Sequence, residues 1–158
     1  MTTTLEELKE VFLSFPMADF KPVEIRNSGN RMSLIAYRDP PFQVELVMWM
    51  PGVVVPAHRH PNIDAFEVHV SGDMVLLLGE DETKTNELIN RAKVWPAKRI
   101  HDRITRVKPT SWHGGKAGLT GAAFWSIQHW TEGVELTAAG IDWDGPELVE
   151  PKLAKLCV

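Results

Sequence analysis

Apolar and polar positions alternate along this chain with two different periods. Near the start, Leu5, Leu8, Val11 and Phe12 recur at three- and four-residue spacing, which predicts an amphipathic helix over residues 4–15. Thr4 and Glu7 fit a capping box, and Pro16 stops the helix. Its apolar stripe is expected to pack on the outside of a β domain. From residue 21 onward, short runs of Val, Ile, Leu, Phe and Trp are separated by Gly, Pro, Asn and Asp clusters. The predicted strands are about 22–26, 32–37, 42–50, 53–58, 65–71, 73–78, 104–107 and 121–130. Turn signals fall at 27–30, 39–41, Pro51-Gly52, 71–73 and Gly114-Gly115. Many short strands with regular turns predict an all-β sandwich or closed barrel. The polar stretch Gly79 to Asn90 reads as a loop, or as a short helix around 85–91. In the tail, Leu153, Leu156 and Val158 are placed to dock on the barrel.

A length of 158 residues matches one ordinary domain and leaves no room for two full cores. The division expected is a helix at 4–15, a barrel at about 21–130 and a tail at 131–158. Hydrophobic residues at 44% and charged residues at 24% argue against disorder. The net charge of −4, with no basic block, argues against nucleic acid as a partner. The longest apolar stretch, Val44 to Val55, is broken by Glu45, Pro51 and Gly52, so no window suits a membrane span. The N-terminal MTTTLEELKE has neither a basic nor an apolar signal region, and a cytoplasmic protein is the expectation. A single cysteine, Cys157, excludes an intrachain disulfide. Phosphate-cradling and dinucleotide-binding glycine motifs are absent, and Ser111 near His113 does not make a nucleophile elbow.

The informative stretch runs from Gly52 to Gly72. His58 and His60 lie one residue apart on a predicted strand, so both side chains point to one face and can chelate one metal ion. Pro61 and Asn62 then turn the chain into a strand that can return beside them.

This stretch resembles the first motif of the cupin superfamily: Gly, five residues, HxH, three or four residues, Glu, six residues, Gly. Gly52, His58, His60 and Gly72 fall on that frame without a gap. Val107 to Gly115 is similar to the family's second motif and offers His113 as the remaining histidine. The resemblance covers about residues 42–130 and implies a small RmlC-like jelly-roll, double-stranded β-helix barrel. The chain departs from the pattern twice. The glutamate position holds Ala65, and Pro109 stands four rather than five residues before His113 with no middle glycine.

Three ligand sets follow. His58, His60 and His113 form a three-histidine shell; or Glu67, two residues beyond Ala65, reaches the metal; or a bulge re-aims Asp64. The three-histidine shell is preferred, with Glu67 as an inward acid acting on substrate. Alternation alone does not choose between Glu67 and His69 facing inward and Phe66, Val68 and Val70 doing so. His129 reads as a packed histidine and His101 as exposed. Three neutral imidazoles leave a dication its full charge, which suits an anionic substrate. Imidazole ligands do not select one metal. The resemblance favours Fe(II) and a dioxygenase, with Zn, Mn or Ni and a lyase or isomerase as the nearest alternative. A non-catalytic binding or sensor cupin is the rival. The expected cavity walls are apolar: Val54, Pro56, Met48, Trp49, Trp112 and Phe124 or Trp125. Arg59, Lys108 and Lys116 read as solvated charges. A small-molecule substrate and a homodimer are also implied, with the outward row Phe66, Val68 and Val70 as a dimer contact.

Overall fold

The computed structural model describes residues 3–16, 20–78, 93–95, 103–109, 111–131 and 142–143. The readings of 79–90, of His101 and of the tail beyond residue 143 lie outside these residues. Helix α1 spans Leu5–Leu13. Thr4 accepts a hydrogen bond from the Glu7 amide at 3.2 Å, and the Glu7 carboxylate accepts one from the Thr4 amide at 2.9 Å. These bonds satisfy two amides that a helix start leaves orphaned. Ser14 caps the C-terminal end, so α1 stops short of the expected residue 15.

The strands are β1 (Glu24–Asn27), β2 (Arg31–Asp39), β3 (Phe42–Trp49), β4 (Val54–Arg59), β5 (Ile63–Leu78), β6 (Lys93–Trp95), β7 (Ile104–Val107), β8 (His113–Trp130) and β9 (Asp142–Trp143). Strands β5 and β8 run antiparallel along their whole length, from Ile63 opposite Trp130 to Leu78 opposite His113. The C-terminal half of β8 also pairs with β3, and its N-terminal half with β4. The long pair therefore passes from one layer of the barrel to the other.

The passage happens at two glycines. Gly72 and Gly121 hold φ of +79° and +73°, a region that disfavours side chains. A Cβ on Gly72 would collide with the Gly121 carbonyl oxygen, and one on Gly121 would stand 2.6 Å from the Trp49 carbonyl oxygen. The Gly72 region is thus a corner within one bent strand, not the reversal expected between two strands. Pairing with β8 continues on both sides of register shifts at His69/Ser71 and Gly72/Met74. Gly115, expected in a turn, lies inside β8, where a Cβ would stand 2.9 Å from the Trp49 ring.

The layer β3–β8–β5 has two unlike faces. On the outer face, Phe42, Val44, Leu46, Phe66, Val68, Trp125 and Ile127 are buried with Leu8 and Phe12 of α1. Trp125 meets Phe12, Phe15 and Phe20 at ring distances of 5.0, 5.8 and 5.5 Å. This corrects one expectation: Phe66 and Val68 are covered by the chain's own helix, and Val70 packs against the same cluster. That row is not a free surface for a second copy. The inner face lines the barrel, and one end of the barrel is filled by an apolar plug that includes Trp49, Val53, Met74, Ala117 and Ala122.

Candidate metal centre and its cavity

His58 lies near the end of β4, directly opposite His113 at the start of β8, and His60 follows β4 by one residue. The period-two geometry and this pairing gather three imidazoles from two chain segments. One nitrogen from each ring lies within 4.8 Å of the others. The ring centroids are 5.0 Å apart for His58–His60, 4.2 Å for His58–His113 and 5.2 Å for His60–His113. All three rings are half-buried.

His113 Nδ1 lies 3.0 Å from the Ser111 carbonyl oxygen. A carbonyl only accepts, so Nδ1 carries the hydrogen and Nε2 keeps its lone pair, the tautomer a metal ligand needs. Burial first, and then the neighbouring His58 and His60, hold this imidazole well below the usual histidine range. The ring is therefore neutral near pH 7, which is the ligating form. The donor set fits a divalent cation that accepts nitrogen ligands.

The other acidic and imidazole candidates separate cleanly. Ala65 faces the cavity as the motif frame requires, but its methyl group cannot ligate. Asp64 faces outward and is clamped by Arg106 through bonds of 2.7 and 3.1 Å. His69 is buried, with Nε2 donating to the Gly72 carbonyl oxygen at 3.0 Å; it supports the corner and does not join the three histidines. His129 is half-buried against the Phe42 ring at 5.0 Å, apart from the cluster. Arg59 lies over the Trp112 ring at 5.1 Å, and Lys108 and Lys116 are exposed.

Glu67 faces inward and is buried. Its Oε1 accepts a hydrogen bond from Ser126 Oγ at 3.0 Å, while Oε2 has no partner among the described residues. Burial pushes its pKa up to about 8; the Ser126 bond pulls the other way, and the nearby Glu45 adds to the rise. The acid is therefore mostly protonated near pH 7, with one oxygen unpartnered among the described residues.

The three histidines and Glu67 line one cavity of about 400 Å³, large enough for a small organic molecule. Its walls differ from the expectation. Trp49 and Phe124 do line it. Val54 is 43% exposed and Val55 takes its place, because a register shift between Val55 and His58 re-aims the strand. Met48 and Trp125 belong to the outer face, and Trp112 is buried away from the described lining. The side chain of Pro56 lies outside the described part.

The cavity is also more polar than expected. Gln128 Nε2 donates to Glu45 at 2.6 Å and to Ser126 Oγ at 3.0 Å, and Gln128 Oε1 accepts from Trp130 Nε1 at 2.8 Å. Gln43 adds a longer bond to Gln128 at 3.3 Å and is itself held by Arg38 at 2.9 Å. This ladder runs from the Arg38 guanidinium to the Glu67 carboxyl. The sequence carried a signal for it: Gln43 and Glu45, and likewise Ser126 and Gln128, are polar pairs two residues apart inside apolar strands.

No family model matches the sequence, and no curated protein matches it either. Solved structures do match in fold. A conserved protein with a double-stranded β-helix domain from Klebsiella pneumoniae is 17% identical, with a TM-score of 0.55 over 82% of this chain and 88% of its own. An RmlC-like cupin from Shewanella frigidimarina is 17% identical, with a TM-score of 0.52 over 67% of this chain and 82% of its own. An oxalate oxidase is 15% identical, with a TM-score of 0.50 over 84% of this chain and 64% of its own. The chain has the all-β cupin jelly-roll fold. No helix of the described residues is long and apolar enough to cross a membrane.

Proposed function

We propose that this protein is a metal-dependent enzyme acting on a small organic molecule, with a divalent metal, Fe(II) favoured, held by His58, His60 and His113. The observation that carries the reading is the gathering of three ligand nitrogens within 4.8 Å, one of them in a fixed neutral tautomer. A bound divalent ion would supply Lewis acidity and, if iron, access to O₂ chemistry of a dioxygenase. The chain's own residues supply the rest. The barrel wall lines the site with apolar groups, among them Val47, Val55, Leu76 and Phe124. Glu67 holds a proton at its carboxyl near neutral pH, beside Ser126, and can give it to or take it from a substrate in the cavity. The Gln128 ladder holds Ser126 and, through it, Glu67.

The fold is shared by an oxalate oxidase and by DMSP lyases alike, so the preference for oxygenase chemistry rests on the three-histidine ligand set. Zn, Mn or Ni with lyase or isomerase chemistry uses the same three ligands. A non-catalytic binding cupin is the second reading, favoured by one observation: Ala65 occupies the inward position where the motif places a fourth ligand. His58→Ala separates the two. Under the enzyme reading it loses metal and O₂ uptake together, measured with an oxygen electrode across diketones, phenols and thiols. Full ligand affinity in metal-free His58→Ala protein would instead favour the binding module. Homodimerisation belongs to the same proposal, through a surface other than the covered Phe66 row; analytical ultracentrifugation tests it.

A further inference from the structure

The arginines of the barrel are mostly spoken for. Arg26 is paired with Glu24 at 2.6 Å, Arg38 bridges Glu24 at 3.0 Å and Gln43 at 2.9 Å, and Arg106 holds Asp64. Arg31 differs. It lines the same cavity as the three histidines and is half-buried. Its guanidinium makes no ion pair or hydrogen bond among the described residues.

Directly opposite Arg31 across the β2–β3 ladder stands Trp49, which lines the cavity as well. Trp49 is only 8% exposed, yet its indole Nε1 finds no acceptor among the described residues. Indole N–H and guanidinium are donors only. Two cross-strand neighbours on one cavity wall thus offer donors and lack an acceptor, and a buried donor left unmade is costly. One planar, singly charged acceptor group placed between them would satisfy both, and the guanidinium fork matches a carboxylate. The wall beside them is apolar: Val47 lies two residues away on the same strand face, and the Trp49 and Phe124 rings meet edge to face at 5.1 Å.

We infer that Arg31 and Trp49 form a carboxylate subsite, so that the molecule received by the histidine cavity is a small carboxylic acid with an apolar body. This rests on the reading of that cavity as the substrate site. It deepens that reading by naming the substrate class.

The test is isothermal titration calorimetry of the full chain with phenylacetate, its uncharged analogue phenylacetamide, and phenylphosphonate. Each is measured on metal-free protein and again with added Zn²⁺. Wild type binds phenylacetate at least about tenfold tighter than phenylacetamide, as expected of a charge-assisted hydrogen-bonded pair. Arg31→Met removes that preference and leaves phenylacetamide unchanged; Arg31→Lys, which keeps the charge and loses the fork, falls between. Trp49→Phe keeps the ring, removes the N–H and costs about threefold or more for phenylacetate. Thermal melts confirm that each variant is folded. Equal affinity for the acid and the amide, unchanged phenylacetate binding in folded Arg31→Met, no binding of phenylacetate at all, or tighter binding of phenylphosphonate would overturn the subsite. Acid preference that persists when no metal binds leaves the subsite standing while the metal reading falls. One metal per chain without acid preference sinks the subsite alone.

Discussion

The outer and inner faces of the β3–β8–β5 layer are built from the same strands, alternate residues apart, and have opposite characters. Outward, Phe42, Val44, Leu46, Phe66, Trp125 and Ile127 are covered by α1 in a dry aromatic and aliphatic contact. Inward, Gln43, Glu45, Glu67, Ser126 and Gln128 form a hydrogen-bonded ladder beside the histidines. The physical consequence of a two-residue period is a division of labour. Odd and even positions of one strand can serve stability and chemistry separately, because neither set shares space with the other. The helix is what makes this possible: it covers the outer face, so the inner face can hold polar groups and a cavity.

If that division is right, truncation on the outer face should cost stability and spare metal affinity. The largest effect is expected for Trp125→Ala, which removes a buried ring contacting three phenylalanines and should cost about 3–5 kcal/mol in chemical denaturation. Zn²⁺ affinity of the folded fraction should stay unchanged. A loss of metal affinity as large as the loss of stability would mean that the two faces are not independent.

Next is the corner that joins the two layers. Gly72→Ala places a methyl against the Gly121 carbonyl in a backbone region closed to side chains. It should cost about 1–3 kcal/mol or prevent folding, read by thermal melt. A variant as stable as wild type would mean that the bent strand is not under this constraint.

The inner face should show itself in pH dependence. Glu67 titrates near 8 when folded, against an ordinary value of 4.5. Between these values the folded metal-free protein binds a proton that the unfolded chain has released. Stability therefore falls as pH rises through that window, by up to about 1.4 kcal/mol per pH unit. Glu67→Gln should flatten this slope and be the more stable form above pH 8, in denaturation curves from pH 5 to 9. His113 works in the other direction. His113 is held below its ordinary 6.5, so the unfolded chain takes up protons that the folded one refuses, and stability falls as pH drops below about 6.5.

The smallest effect is at the helix that covers the outer face. Thr4→Ala removes the capping oxygen and should cost about 1 kcal/mol with no change in metal affinity, by the same denaturation and titration pair.

Much of this was legible in the residues. The α1 cap is readable because its chemistry is local, and the 104–107 strand is matched to the residue. His58 and His60 are readable because a period of two forces them to one side, and His113 because it stands where a second cupin motif is expected, although Pro109 is one residue nearer than that pattern has it. What alternation could not say is which face is the cavity. Met48 is expected in the cavity wall, but it shares the face of Phe42, Val44 and Leu46, which α1 covers. Gly72 reads as a turn because a positive-φ glycine serves a turn and a strand corner alike. The shift between Val55 and His58 cannot be seen locally, since a bulge is decided by the pairing partner.

The most direct test of the central claim is metal content per chain by elemental analysis, on protein purified anaerobically without chelator, with His58→Ala beside it. Wild type should carry close to one divalent metal per chain, lost in the variant while the melt is retained. No metal bound, and none retained after adding each of Fe²⁺, Zn²⁺, Mn²⁺ and Ni²⁺, would contradict it.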